Sequence, residues 1–61
     1  MKWTITYFFT STSAYGDEYT RSILVTAKTR AGAESLAKLE GFKAFGHLFN
    51  DNCFDWQIES A

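Results

Sequence analysis

One histidine and one cysteine, His47 and Cys53, stand six positions apart across a polar stretch, Asn50, Asp51 and Asn52. A thiolate activated by a neighbouring imidazole is the one covalent chemistry this spacing permits. No motif surrounds the pair, so the ordinary roles fit better: an exposed loop histidine and a small, part-buried thiol. A closed zinc site needs four nitrogen or sulfur ligands, and the chain offers these two. The glycines at 16, 32, 41 and 46 stand apart and match neither a dinucleotide fingerprint nor a phosphate loop. The expectation is therefore a protein that is not an enzyme, with no catalytic residue, no metal site and no cofactor.

Two other groups of side chains suit binding. Phe8 and Tyr15, with Arg21, Lys28 and Arg30 near them in sequence, have the chemistry of a surface that stacks bases and meets phosphates. Against a nucleic-acid partner stand Asp17, Glu18, Asp55 and Glu59, the net charge of −1, and the alternative that Arg21 covers a strand edge. The charge is also uneven: residues 1–30 carry +2 and residues 31–61 carry −3. The second group is Phe42, Phe45, Leu48 and Phe49, large apolar residues at helical spacing that follow Gly41. If a small sheet and one helix already fill the interior, these rings are left over for a protein partner; the alternative is that the segment folds under the sheet edge as a satellite cluster. Phe42, Phe45 and Phe49, with Phe8, are the candidate anchors.

The elements that would carry these groups are legible from periodicity. From Trp3 to Phe9 the residues alternate, with Trp3, Ile5, Tyr7 and Phe9 on one face and Thr4, Thr6, Phe8 and Thr10 on the other, which predicts a strand. Residues 11–17 then read as a hairpin loop, with Gly16 able to take a positive φ. A second strand is expected from Glu18 to Ala27, with Tyr19, Arg21, Ile23 and Val25 on one face. Thr29 can cap a helix carrying Ala31, Ala33, Leu36, Ala37 and Leu39, and Gly41 reads as its stop. Asn50, Asp51 and Asn52 read as a turn into a last strand, with Phe54, Trp56 and Ile58 inward and Asp55, Gln57 and Glu59 outward. The most apolar strand belongs in the centre. That predicts an α+β, β-β-α-β domain over residues 1–61, with a three-stranded antiparallel or mixed sheet of order 2-1-3 and one helix on one face.

Composition agrees with a folded domain, at 46% hydrophobic and 18% aromatic residues. The segment after Met1 alternates with threonine and predicts neither a signal-peptide core nor a membrane span, so the chain reads as complete. A lone cysteine fits a reducing cytoplasm. Neither outer strand carries proline or a dense lysine guard. Pairing with another strand, including that of a second copy in a homodimer, is therefore open to both.

The succession Ile23, Leu24, Val25, Thr26, Ala27, then Thr29, Ala33, Leu36 and Ala37, and finally Phe54, Asp55, Trp56, Gln57, Ile58 and Glu59 resembles a pattern found in small phage-encoded host-takeover proteins. The T7-type inhibitors of bacterial RNA polymerase are of this kind. The likeness is one of pattern and carries over no binding residue, and the segment from Phe42 to Phe49 departs from the short connection of those inhibitors. It implies a noncatalytic phage or mobile-element accessory protein that binds and inhibits or modulates a host protein in the host cytoplasm.

Overall fold

The computed structural model describes residues 1–11 and 17–61. The expected loop residues between them, Tyr15 and Gly16 included, lie outside the described residues. The order of elements is β1 (Lys2–Thr10), β2 (Glu18–Thr26), α1 (Arg30–Phe45), α2 (His47–Asn52) and β3 (Cys53–Ser60). β1 lies at the centre of a sheet ordered β2-β1-β3 and pairs antiparallel with both neighbours. The expected α+β architecture and strand order are therefore present.

β1 earns the central place because Trp3, Ile5, Tyr7 and Phe9 are all buried on one face. Its partners place further apolar residues beside them: Ile23 opposite Ile5 and Val25 opposite Trp3 from β2, and Trp56 opposite Tyr7 and Ile58 opposite Ile5 from β3. The Trp3 Nε1–H donates to the Ala27 carbonyl at 3.0 Å, so the ring is buried without stranding its polar atom.

Thr29 begins α1 as expected. Its backbone is extended, and its Oγ1 accepts from the Gly32 N–H at 3.1 Å. Thr29→Ala is expected to cost about 1 kcal/mol and to lower the melting temperature by roughly 4–8 °C for a domain of this size. Thermal denaturation followed by circular dichroism checks this, with Thr29→Ser expected to stay close to the parent.

Three expectations are corrected beyond this point. Gly41 does not stop the helix. It is buried inside α1, which runs on to Phe45. The break comes at Gly46, whose φ of 59° favours glycine, and whose N–H donates to the Phe42 carbonyl at 2.8 Å. Asn50, Asp51 and Asn52 belong to the short helix α2, so a second helix joins the one expected. Leu39, expected in the core, is 53% exposed. Each helical residue turns the chain by about 100°, so the buried line Ala33, Ala37 and Gly41 fixes the phase of α1 and sends Leu39 to the far side.

Small residues on that line let α1 lie close to the sheet, and rings from elsewhere fill the remaining space. Phe45 meets Tyr7 edge-on, with centroids 5.3 Å apart, and Phe9 at 5.1 Å. Phe49 from α2 meets Tyr7 at 5.7 Å and Trp56 at 5.8 Å. Ring contacts of this kind, edge-on for all but the tilted Phe49–Trp56 pair, add stability beyond burial alone.

Candidate interaction surfaces

The candidate anchors divide between interior and surface. Phe49 is only 8% exposed and Phe45 is half-buried in the ring cluster around Tyr7, so both are largely committed to the core. Phe42, one helical turn before Phe45 on the outward side, is 51% exposed. It lines a cleft of about 410 Å³ between α1 and α2, together with Ser35, Lys38, Leu39 and Asn50, and the edge of Phe49 forms part of the wall. The pairing of exposed Leu39 and Phe42 around this cleft was not legible in the sequence, because it follows from the continuation of α1 through Gly41.

Phe8 is half-buried on the sheet face away from the helices. A bulge in β3 gives it an unexpected neighbour. Phe8 pairs with Asp55 while Phe9 pairs with Cys53, so Phe54 is the extra residue. Phe54, expected to point inward, is instead 53% exposed, and its ring centroid lies 6.3 Å from that of Phe8.

The nucleic-acid set does not converge. Phe8 faces away from the helices, whereas Arg21 lies opposite buried Tyr7 and so on the other face. The Arg21 guanidinium sits 5.1 Å from the Tyr19 ring centroid and donates to the Thr20 carbonyl at 2.9 Å. Arg30 lines a different depression, of about 430 Å³, along β3 beside Glu34 and Glu59. Lys28 lies between β2 and α1. Tyr15 is outside the described residues.

His47 and Cys53 occupy opposite ends of α2 and its junction with β3. The Cys53 thiol donates to the Asp55 carbonyl at 3.4 Å rather than engaging the imidazole. Burial, the largest cause, pushes the thiol's pKa up, which keeps it protonated and weakly nucleophilic near neutrality. Among the described residues, no group of three or more His, Cys, Asp or Glu side chains is gathered to hold a metal ion. No described helix is long and apolar enough to cross a membrane.

The two outer strands differ at their free edges. The Ala27 N–H donates to Met1, and the Ser11 N–H donates to Asp17 at the other end of the hairpin. Antiparallel alternation then turns the N–H and C=O of Tyr19, Arg21, Ile23 and Val25 toward β1, and those of Glu18, Thr20, Ser22, Leu24 and Thr26 outward. On β3 the same alternation, set by the Ala61 N–H bond to Lys2, turns Trp56, Ile58 and Ser60 outward. The Trp56 N–H is capped by the Asp55 carboxylate at 2.8 Å, and the bulge disrupts the strand just before it. On β2 the Arg21 guanidinium occupies the Thr20 carbonyl. Beyond that point, Ser22, Leu24 and Thr26 have no such guard among the described residues.

No family model matches the chain, and comparison with curated proteins and with solved structures found no similar protein.

Proposed function

We propose that the chain is a noncatalytic protein-binding module that grips its partner through the cleft between α1 and α2. The observation that carries this reading is the exposure of Leu39 and Phe42 on one apolar cleft, with Phe49 behind them. Exposed rings beside a concave apolar surface are the usual anchors of protein contacts, because a partner side chain seated there sheds water from both sides. Phe42 is the principal anchor; Phe45 and Phe49 support it from within.

The partner we infer is a host protein in the host cytoplasm, as for the phage-encoded proteins that the strand and helix pattern resembles. The chain would inhibit or modulate it by occupying a surface.

Phe42→Ser tests the site. About half of its side chain is in water, so folding stability is expected to fall by only about 1–2 kcal/mol, similar to the loss in Phe54→Ser, which is equally exposed. Cross-linking pull-down from bacterial lysate is expected to recover a stoichiometric partner with the parent and with Phe54→Ser, and to lose it with Phe42→Ser. Recovery of the same partner by all three proteins, or of none by the parent, overturns the reading.

A further inference from the structure

We propose that two copies of this chain associate through the free edges of β2, forming a continuous six-stranded sheet with the helices of both copies on one face. The proposal goes beyond the cleft reading and does not depend on it.

The free edge of β2 supplies the backbone groups. Over nine residues its register with β1 is unbroken, so the edge is straight, and the outward N–H and C=O groups of Ser22, Leu24 and Thr26 are unguarded. Long, regular edges without proline, bulge or lysine are those that accept another strand. Leu24, 63% exposed, is the most exposed leucine of the chain and sits at the middle of this stretch.

The side chains favour a second copy as occupant, because the edge is complementary to itself. An antiparallel pair related by a two-fold axis at Ile23 sets Ser22 against Leu24 of the second copy and Thr20 against Thr26. Both are outward-facing pairs: Ser22 and Leu24 can exchange both backbone hydrogen bonds, and the Thr20 N–H can donate to the Thr26 carbonyl, whereas the return bond to the Thr20 carbonyl requires the Arg21 guanidinium to swing away from it. β2 ends at Thr26 and Lys28 lies two residues beyond it, in the bend before α1, so this register brings the Glu18 end of one strand beside Lys28 of the second copy, and by symmetry does so at both ends. On the helix-bearing face, the two Ile23 side chains meet at the axis as a pair that shares no hydrogen bond, where side chains approach most closely. Ile23 is half-buried and packs against the core, so this contact joins the two interiors. An axis at Ser22 sets Arg21 against Ile23, and an axis at Leu24, which sets Ile23 against Val25, carries Glu18 past Lys28 to the level of Arg30, which belongs to α1 rather than to the edge. The proximity of Glu18 to Lys28 therefore favours Ile23.

Sedimentation equilibrium on the full chain tests the proposal. The parent is expected to sediment as a dimer. Glu18→Lys and Lys28→Glu are each expected to weaken association several-fold, because each opposes like charges at both ends, and the double swap is expected to restore it. Ser22→Pro removes an outward N–H but none of the bonds to β1, and is expected to give monomers. Phe42→Ser is expected to remain dimeric, which separates this edge from the cleft. A monomeric parent up to ~1 mM, a double swap no tighter than the single variants, or a dimer lost in Phe42→Ser but kept in Ser22→Pro would each overturn the proposal. Should Ser22→Pro fail to fold, the charge swaps decide.

Discussion

Gly41→Ala is expected to destabilise the fold and Gly41→Leu to abolish it, although both substitutions raise the helix propensity of the site. Intrinsic propensity favours alanine over glycine by about 1 kcal/mol in a helix interior. The surroundings oppose it. A Cβ at Gly41 would stand 2.7 Å from two ring carbons of Phe49 and 2.8 Å from one of Tyr7, closer than such atoms approach. Neither ring is free to withdraw. Tyr7 is tied by its hydroxyl to the Ala37 carbonyl at 2.5 Å and abuts Phe9, Phe45 and Trp56, and Phe49 abuts Trp56. Forcing a methyl into a filled core costs about 1–3 kcal/mol, so the net effect of Gly41→Ala is a loss of up to about 2 kcal/mol in urea denaturation. Adding Phe49→Leu should recover part of that loss, since the clash is with the ring. A Gly41→Ala variant more stable than the parent would show that α1 does not lie as close to the sheet as described.

Tyr7 carries the second large effect. Burial, reinforced by Cys53 and Glu40, pushes its phenol up from 10 to about 12. The native state therefore holds its proton more tightly than the unfolded chain. The resulting stability is fully present below about pH 10, and it is lost as the pH rises toward 12. The total is about 2–3 kcal/mol, at 1.36 kcal/mol per pH unit of displacement. Alkaline unfolding is expected in that window. Tyr7→Phe should remove this part of the pH dependence, at a cost of about 1 kcal/mol near neutrality for the lost hydrogen bond. Cys53, whose thiol burial also pushes up, ionises in the same sense, and Cys53→Ser supplies the background. Tyr7→Ala goes further. Emptying the centre of the ring cluster costs about 3–5 kcal/mol, comparable with the whole stability of a chain this short, and should leave it unfolded by circular dichroism. An unchanged alkaline midpoint in Tyr7→Phe would reject the assignment.

The readings of this chain that held rest on local periodicity. β1 alternates in residue type along its length, so its face, its central position and the sheet order could be read without coordinates. Thr29 was legible as a cap for the same local reason. The corrections arise where tertiary contact outweighs a local signal. Gly41 has the composition of a stop, yet it is a point of close approach, and only the positions of Phe49 and Tyr7 reveal that. Asn50, Asp51 and Asn52 resemble a turn but complete α2, whose Phe49 is held by the sheet. Phe54 follows the alternation of Trp56 and Ile58 in sequence, and a single inserted residue puts it on the opposite side. The candidate anchors were half legible. Their apolar character is plain, but Phe45 and Phe49 enter the core because the Ala33, Ala37 and Gly41 line leaves room beneath it, and that room is a property of helix phase.

The order of strands also has a kinetic meaning. β1 can zip to β2 across the short connection between Thr10 and Glu18, whereas joining it to β3 brings Trp3 against Ser60 and closes a loop of almost the whole chain. Distant pairings of this kind slow folding, because entropy is surrendered before the contacts that offset it exist. The hairpin should form early and wait, with its aromatic face exposed, for the helices and last strand to arrive. Loss of structure should run in reverse, starting at β3.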